Sequence, residues 1–303
     1  MMTVPAIYRK PDSTRGENKR ICLTGEVYSR NSRLVGKGMT HMPEGDTVWL
    51  AARRMNRALA GEELVRGELR VAKLAALDLS GHTVAEVVAR GKHMLFRFAD
   101  GHTLRSHFRM DGSWRIHAAG QPWRGGPAFA VRAVLCTQQR DCVGYRLHDL
   151  AYVPTSEETS LVGHLGPDLL GSEWDADEAL RRLCLQEKTE IGVALLDQRN
   201  LAGIGTLYRT EGLFLAGVAP QRRVGDIGPT VMPGLVDRIR RLMLHNREHP
   251  QQSTTGSLRR GETHWVFERA GRPCRRCGTQ IERGEQGLVP HQRVTYWCPG
   301  CQT

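Results

Sequence analysis

Four cysteines near the C-terminus have the spacing of a metal site. They form two Cys-x2-Cys pairs that are separated by twenty residues: Cys274, Cys277, Cys298 and Cys301. Four thiolates at this spacing can surround one Zn²⁺ tetrahedrally. Two disulfides in a secreted domain are the alternative, but the sequence shows no charged-then-apolar leader. Because cysteine fills all four positions, we expect one structural zinc ion and no open catalytic position.

The excess of basic residues indicates a polyanionic partner. The 303-residue chain holds 43 Lys and Arg against 32 Asp and Glu, a net charge of +11, and nucleic acid is the simplest partner for such a charge. Residues 1–41 contain eight basic and three acidic residues, so residues 42–303 carry only +6. This distribution excludes a uniformly basic surface for residues 42–303, but it does not exclude a basic patch. No run of about 18 apolar residues is present, so we expect no membrane-spanning helix.

The elements that position these groups begin with a helix and continue as strands. Apolar residues recur at helical spacing from Asp46. Residues 63–153 then show short segments broken by turns, and an Asp-Gly turn joins His93–Ala99 to Thr103–Phe108 as a hairpin. Two further segments continue the pattern: Trp114–His117 and Ala128–Thr137. We therefore expect a β-sandwich.

The second half of the chain predicts a helical domain. Helical patterns occupy four segments: Asp175–Leu185, Thr189–Gln198, Thr206–Ala216 and Pro233–Asn246. A short turn that contains glycine, residues 199–205, joins the second segment to the third. Residues 250–262 are rich in Gln, Ser, Thr and Gly, and they predict a mobile loop.

Three sequence motifs, taken together, are specific enough to indicate a protein family. They are Met42-Pro43-Glu44-Gly45-Asp46, the turn Gly203-Ile204-Gly205 between two helices, and the ending Tyr296-Trp297-Cys298-Pro299-Gly300-Cys301-Gln302. Together they make residues 42–303 resemble the formamidopyrimidine-DNA glycosylase/endonuclease VIII family, and the ending is closer to the endonuclease VIII branch.

The resemblance implies an α+β multidomain fold. An N-terminal β-sandwich flanked by helices is expected at 42–168 as the catalytic domain. A DNA-binding helix–two-turn–helix domain is expected at 169–262, and a four-cysteine zinc β-hairpin at 263–303. Residues 1–41 are an extension that we expect to be disordered or absent from the mature protein.

The resemblance also assigns the reacting groups. Pro43 matches the N-terminal proline whose secondary amine attacks C1′ of the damaged nucleotide, and an α-amino group has a pKa of about 8, which suits a nucleophile. Glu44 matches the carboxyl that moves protons around the sugar ring. The alternatives are a proline at a helix entry for Pro43 and a solvated first-turn acid for Glu44.

Other residues match contacts to DNA. Lys92 matches a lysine that contacts phosphate and aids elimination, and His107 and Arg293 match further phosphate contacts; a solvated surface charge is the alternative for each. Thr206 stands where the family usually has Asn, and its hydroxyl is expected to face phosphate at a helix start. Met110 matches a side chain that fills the gap left by the extruded base, with core packing as its alternative.

The resemblance implies a bifunctional DNA glycosylase/abasic-site lyase of base excision repair. Its partner is damaged DNA, double-stranded or partly single-stranded, and we expect a monomer in the cytoplasm, associated with the nucleoid. The stretch 148–153 lacks the wedge motif of the branch that acts on oxidised purines, so oxidised pyrimidines are favoured. Attached to residues 1–41, Pro43 has an amide nitrogen and cannot attack, so we expect translation to start at Met42. The alternative is a non-catalytic zinc-ribbon protein that binds damaged DNA on the same scaffold.

Overall fold

The computed structural model describes residues 43–303, so the prediction for the extension 1–41 lies outside the described residues. Two four-stranded antiparallel sheets form the N-terminal part, as expected for a β-sandwich. One sheet has the order β1-β6-β7-β5 and the other the order β2-β3-β4-β8. The strands are β1 Arg66–Leu69, β2 Val84–Arg90, β3 His93–Phe98, β4 His102–His107, β5 Ser113–Ala118, β6 Val131–Cys136, β7 Arg140–Tyr145 and β8 Asp149–Pro154.

The sandwich is closed by the first helix, α1 (Gly45–Leu59). Its apolar side places Val48, Ala52 and Met55 in one core with residues of both sheets, because positions three and four apart share a helix face. The predicted hairpin is confirmed: β3 pairs with β4 from His93↔His107 onward. The stretch that lacks the wedge motif forms β8, which pairs with β4 along its length.

The second half is helical and ends in a separate hairpin. Its helices are α2 Glu158–Val162, α3 Ala176–Cys184, α4 Ile191–Ala194, α5 Thr206–Ala216 and α6 Val231–Asn246. Strands β9 (Glu282–Gln286) and β10 (Arg293–Trp297) pair antiparallel between the two cysteine pairs. No helix in residues 43–303 is long and apolar enough to cross a membrane.

Two expectations for this half were wrong in part. The helix predicted at Thr189–Gln198 is reduced to α4. Glu190 is extended and pairs with Arg223 in a β-bridge before the helix, and the Asn200 side chain donates a hydrogen bond to the Ala194 carbonyl at its end. The loop predicted at 250–262 is buried at residues 252–254. Gln252 Nε2 donates to both carboxylate oxygens of Asp46 at 2.9 Å, so polar composition here reflects hydrogen bonding to distant residues rather than exposure.

Candidate active site

Glu44 joins the start of α1 to the start of α5. It is 2% exposed, and its carboxylate accepts hydrogen bonds from the backbone N–H groups of Gly205 at 2.9 Å and Leu207 at 2.7 Å, and a longer one from Tyr208 at 3.3 Å. These donors are among the first amides of a helix, which have no partner within the helix itself. A Cβ at Gly205 would lie 2.5 Å from the Glu44 carboxyl carbon, so only glycine permits this approach.

Burial sets the ionisation of this carboxyl. Loss of solvation raises the pKa of Glu44 to about 7, although the nearby Lys92 ammonium and the helix amides act in the opposite direction. Near neutral pH both protonation states of Glu44 are therefore populated, which suits a group that must accept and donate a proton. Pro43, the residue before it, is half-buried.

Asp46 forms a second buried carboxyl in the same helix turn. It accepts a hydrogen bond from the Tyr208 hydroxyl at 2.5 Å and the bonds from Gln252 described above. Burial raises the pKa of Asp46, and these hydrogen bonds partly offset the effect. The interaction fixes the first turn of α1 against α5, and with it the position of Pro43 and Glu44.

Lys92 lies in the two-residue turn between β2 and β3. The preceding Gly91 has φ +58° and donates its N–H to Asp168 Oδ2 at 2.7 Å, while Asp168 Oδ1 accepts from Leu170 N at 3.0 Å. A Cβ on Gly91 would meet Ala202 at 3.0 Å, so the turn packs closely against the segment before α5. Desolvation lowers the pKa of Lys92, and the positive charge of Arg293 lowers it further, while Glu44 raises it.

Arg293 begins β10 and is exposed. It adjoins Val294, whose carbonyl binds α5, the helix that also binds Glu44, and its positive charge lowers the pKa of Lys92. The hairpin is held against the helical domain by Arg209 of α5, which is completely buried and donates to the carbonyls of Gly192 and Val294. Burial lowers the pKa of Arg209 to about 10, and the neighbouring Glu44 opposes this change. The structure therefore brings together Glu44, Lys92 and Arg293 from three distant segments.

His107 and Met110 lie at the end of β4 and in the following turn. The His107 ring is 4.7 Å from that of His93, centroid to centroid, and its Nδ1 accepts from Arg109 N at 3.0 Å. Burial lowers the pKa of His107 to about 4, so the free protein holds it as a neutral imidazole. Met110 is 61% exposed. This exposure disagrees with a core-packing role for Met110 and suits a side chain that enters DNA.

The structure disagrees with the predicted environment of Thr206. This residue is only 3% exposed, and the helix start that was expected to face phosphate already binds the Glu44 carboxylate. A direct phosphate contact by the Thr206 hydroxyl is therefore disfavoured. No local sequence pattern indicates this arrangement, because Glu44 and Thr206 are more than 160 positions apart.

The four cysteines form one cluster that can hold a metal ion. Their sulfur atoms all lie within 4.8 Å of one another. Cys274 Sγ is 3.9 Å from Cys301 Sγ, and Cys277 Sγ is 3.4 Å from Cys298 Sγ. Sulfurs that bind one tetrahedral Zn²⁺ at ~2.3 Å are separated by about 3.8 Å, so the donor set and its size fit such an ion.

Sequence reasoning missed the residues that hold the site together. These are the buried polar side chains Asp46, Asp168, Arg209 and Gln252. Each lies within a pattern that was explained as helix, linker or loop. Only the presence of an arginine inside the apolar pattern of α5 could have pointed to Arg209, because an arginine is almost never fully buried without partners.

Comparison with known proteins places the chain among DNA-repair enzymes. Residues 42–149 match the Formamidopyrimidine-DNA glycosylase N-terminal domain and residues 165–257 match the Formamidopyrimidine-DNA glycosylase H2TH domain. The chain is 50% identical over 261 residues to "Probable endonuclease 8 2" of Streptomyces coelicolor, covering 86% of this chain and 94% of the relative. It is 41% identical over 263 residues to "DNA-(apurinic or apyrimidinic site) lyase Nei2" of Mycolicibacterium smegmatis, covering 86% and 99%.

A solved structure has the same fold. The complex between the Lactococcus lactis Fpg and an abasic-site-containing DNA is 22% identical in sequence, with a TM-score of 0.70. The alignment covers 86% of this chain and 99% of that one.

Proposed function

The chain belongs to the formamidopyrimidine-DNA glycosylase/endonuclease VIII family, in its endonuclease VIII-like branch, and from this we propose that it excises oxidised pyrimidines from DNA through Pro43. It is a DNA glycosylase with abasic-site lyase activity that acts in base excision repair. The partner is DNA that carries a damaged base or an abasic site.

The nucleophile is the secondary amine of Pro43. Its lone pair attacks C1′ of the damaged nucleotide, the bond from C1′ to the base breaks, and the base leaves with the bonding electrons and a proton. The C1′–O4′ bond of the sugar ring then breaks, O4′ takes a proton, and the proline nitrogen forms a double bond to C1′. The resulting iminium ion withdraws electrons and acidifies C2′, so loss of a C2′ proton expels the 3′ phosphate by β-elimination, and a second elimination expels the 5′ phosphate. This chemistry requires a free amine, and we propose that the active protein begins at Pro43. The family match, which starts at residue 42, supports this start.

Glu44 moves the protons. The single observation that carries the proposal is the buried carboxyl of Glu44 next to the proposed nucleophile. The amides of α5 hold this carboxyl in place, and burial raises its pKa to about 7. In its protonated form it can donate to the sugar ring oxygen as the base leaves, and in its ionised form it can take the proton from the attacking amine.

We assign the cationic side chains around Glu44 to the phosphate backbone of the DNA. The positive charge of Arg293 lowers the pKa of Lys92, and we propose that both contact phosphates next to the damaged nucleotide, with His107 as a further contact. Met110 fills the gap left by the extruded base. The four-cysteine cluster binds one Zn²⁺, which supplies no chemistry but cross-links the hairpin that carries Arg293.

The first experiment compares two N-termini. Protein that starts at Pro43 after methionine removal should cleave abasic-site DNA and form a covalent cross-link when borohydride reduces the iminium. The intact 303-residue chain, whose Pro43 nitrogen is an amide, should do neither. Equal trapping by an intact long form contradicts the assignment of Pro43. DNA binding without trapping by either form favours a non-catalytic damaged-DNA-binding protein.

The second experiment tests the proton-transfer role and the substrate. Glu44→Gln in the short form should abolish release of an oxidised pyrimidine, while affinity for the lesion duplex stays within a few-fold of the wild type. Cleavage of a preformed abasic site can persist, because the base has already left. Duplexes that carry an oxidised pyrimidine or an oxidised purine, assayed side by side with the wild type, test the preference; faster release of the purine would contradict it.

A further inference from the structure

The tip of the C-terminal hairpin presents two neighbouring apolar side chains to solvent. The tip comprises residues 287–292, between β9 and β10. Leu288 is 86% exposed and Val289 is 77% exposed, and both belong to the small set of large apolar side chains that are exposed in residues 43–303. Adjacent exposed apolar side chains are unfavourable in water and are typical of a surface that is covered by a partner.

The rest of the hairpin is firmly held, so the tip projects from a fixed base. Gln286, the last residue of β9, donates from Nε2 to Glu190 Oε2 at 2.8 Å and to the Pro220 carbonyl at 2.9 Å. Arg209 binds the Val294 carbonyl on the opposite strand. Within the tip, His291 N donates to Leu288 O at 2.7 Å. The two apolar side chains are therefore displayed on an ordered turn rather than on a loose end.

The tip is continuous with the surface that we assign to DNA. Arg293 pairs with Gln286 at the end of the strands, so it is the residue of β10 nearest the tip. The carbonyl of the adjacent Val294 accepts a hydrogen bond from Arg209 of α5, the helix whose first amides bind Glu44, so this end of the hairpin lies beside the active site. The charge of Arg293 also lowers the pKa of Lys92. A phosphate bound by Arg293 would bring the neighbouring sugars and base edges to Leu288 and Val289. DNA-binding proteins use leucine, isoleucine and similar side chains in this way, against the groove wall or between base steps.

We propose that Leu288 and Val289 form an apolar contact with a groove of the DNA, next to the phosphate bound by Arg293. This inference rests on the proposed function. It assigns a second apolar contact to the enzyme, on the hairpin, in addition to that of Met110 on the β-sandwich. The contact holds the DNA from the side of the C-terminal domain, and it does so without neutralising a phosphate.

Because Leu288 and Val289 carry no charge, their loss should lower the affinity for DNA without changing its salt dependence. The double variant Leu288→Ser/Val289→Ser, in protein that starts at Pro43, should bind an abasic-site duplex roughly tenfold more weakly, as expected when two partly buried aliphatic side chains are lost. The logarithmic dependence of affinity on NaCl concentration should keep its slope, because no counterion-releasing contact is removed. Leu185→Ser, at an apolar residue that is 72% exposed after α3, is the matched control and should bind like the wild type.

A second substitution tests the same contact in a different way. Leu288→Glu places a negative charge against the DNA and should weaken binding more than serine does, whereas Leu185→Glu should have little effect at the same ionic strength. Metal content and melting temperature of each variant show that the hairpin is folded. If both tip variants bind the duplex within twofold of the wild type, the tip does not contact DNA and the proposal is overturned.

The proposal can fail separately from the proposed function. Borohydride trapping of the wild type on abasic-site DNA tests the enzyme activity alone. Wild-type trapping together with unchanged binding by the tip variants overturns only the apolar contact. No trapping by the wild type that starts at Pro43 overturns the glycosylase mechanism, whatever the tip variants do.

Discussion

At the scale of single residues, Glu44 is subject to two opposed effects. Its carboxylate lies at the start of α5, where unpaired amides and the helix dipole favour a negative charge. It is also almost completely buried, which favours the neutral form. Burial is the larger effect and raises the pKa to about 7. The same burial that prepares Glu44 for proton transfer therefore costs stability wherever the carboxyl is ionised.

This cost predicts a pH-dependent difference in stability. Between about pH 4.5 and pH 7 the folded protein keeps a proton on Glu44 that the unfolded chain has released, so its contribution to stability falls as pH rises through this window, by roughly 3 kcal/mol in total. Gln does not titrate, so the free energy of unfolding of Glu44→Gln relative to wild type should shift in the variant's favour by about this amount from pH 4.5 to pH 8. Denaturant titrations at several pH values measure the difference, and a constant difference would contradict the raised pKa.

Arg293 is an exposed arginine whose proposed partner is phosphate. Arg293→Ala should weaken DNA binding at low salt by about 1.5–3 kcal/mol and flatten the log–log salt slope by roughly one unit, since one fewer counterion is released. The matched control is Arg283→Ala, an exposed arginine on β9 of the same hairpin. Fluorescence anisotropy over a salt series measures both quantities. Equal salt slopes for the two variants would indicate that Arg293 is a solvated surface charge that does not contact phosphate.

At the scale of elements, the turn between β2 and β3 is held by one carboxylate. Asp168 accepts from Gly91 N and Leu170 N, and it thereby joins the turn that carries Lys92 to the segment before α3. Burial raises the pKa of Asp168, although the bonds from these amides oppose the effect. The position of Lys92 therefore depends on a buried carboxylate from a distant segment.

Removal of this carboxylate should affect stability and lyase activity together. Asp168→Ala leaves a buried Gly91 N–H without its acceptor, which costs roughly 1–3 kcal/mol, and the freed turn should slow cleavage of a preformed abasic site. Asp78→Ala is the control, because Asp78 accepts the Ser80 N–H at 2.9 Å on an exposed turn. Urea unfolding and single-turnover cleavage are the measurements. Unchanged cleavage by a destabilised Asp168→Ala protein would show that Lys92 does not need this support.

At the scale of the whole molecule, the site is assembled from both ends of the chain. Glu44 immediately precedes α1, Lys92 comes from the sandwich, and Arg293 comes from the hairpin between the cysteine pairs. The hairpin has a small apolar core that includes Phe214, Val266 and Ile281. So small a core needs the additional cross-link that a bound metal ion provides.

Metal removal should therefore separate binding from folding. Cys274→Ser, or treatment with a strong chelator, should remove the metal and most DNA binding, while the β-sandwich and α1 stay folded because their core is separate. Cys184→Ser, at an exposed cysteine outside the cluster, should change neither. Metal analysis, DNA binding and limited proteolysis of the full chain distinguish the outcomes. Unchanged DNA binding after complete metal loss would contradict the role given to the hairpin.

The features that depend on neighbouring residues could be predicted from the sequence. The Asp-Gly turn between β3 and β4, the apolar spacing of α1 and the Cys-x2-Cys pairs are local patterns, and the structure contains the hairpin, the helix and a cluster able to bind a metal ion. The motifs also indicated the family. Neighbouring residues determine turns, helix faces and pairs of metal ligands, so these features can be predicted without knowledge of the tertiary structure.

The contacts between residues that are distant in the sequence could not be predicted before the fold was known. Glu44 occupies the start of α5, where Thr206 was expected to face phosphate. Gln252 binds Asp46 from a segment whose composition predicted a mobile loop. Arg209, inside a helix, spans to the hairpin that carries Arg293. Each contact joins residues more than 80 positions apart, and its stability comes from burial that exists only after the domains have packed, so no local pattern could have revealed it.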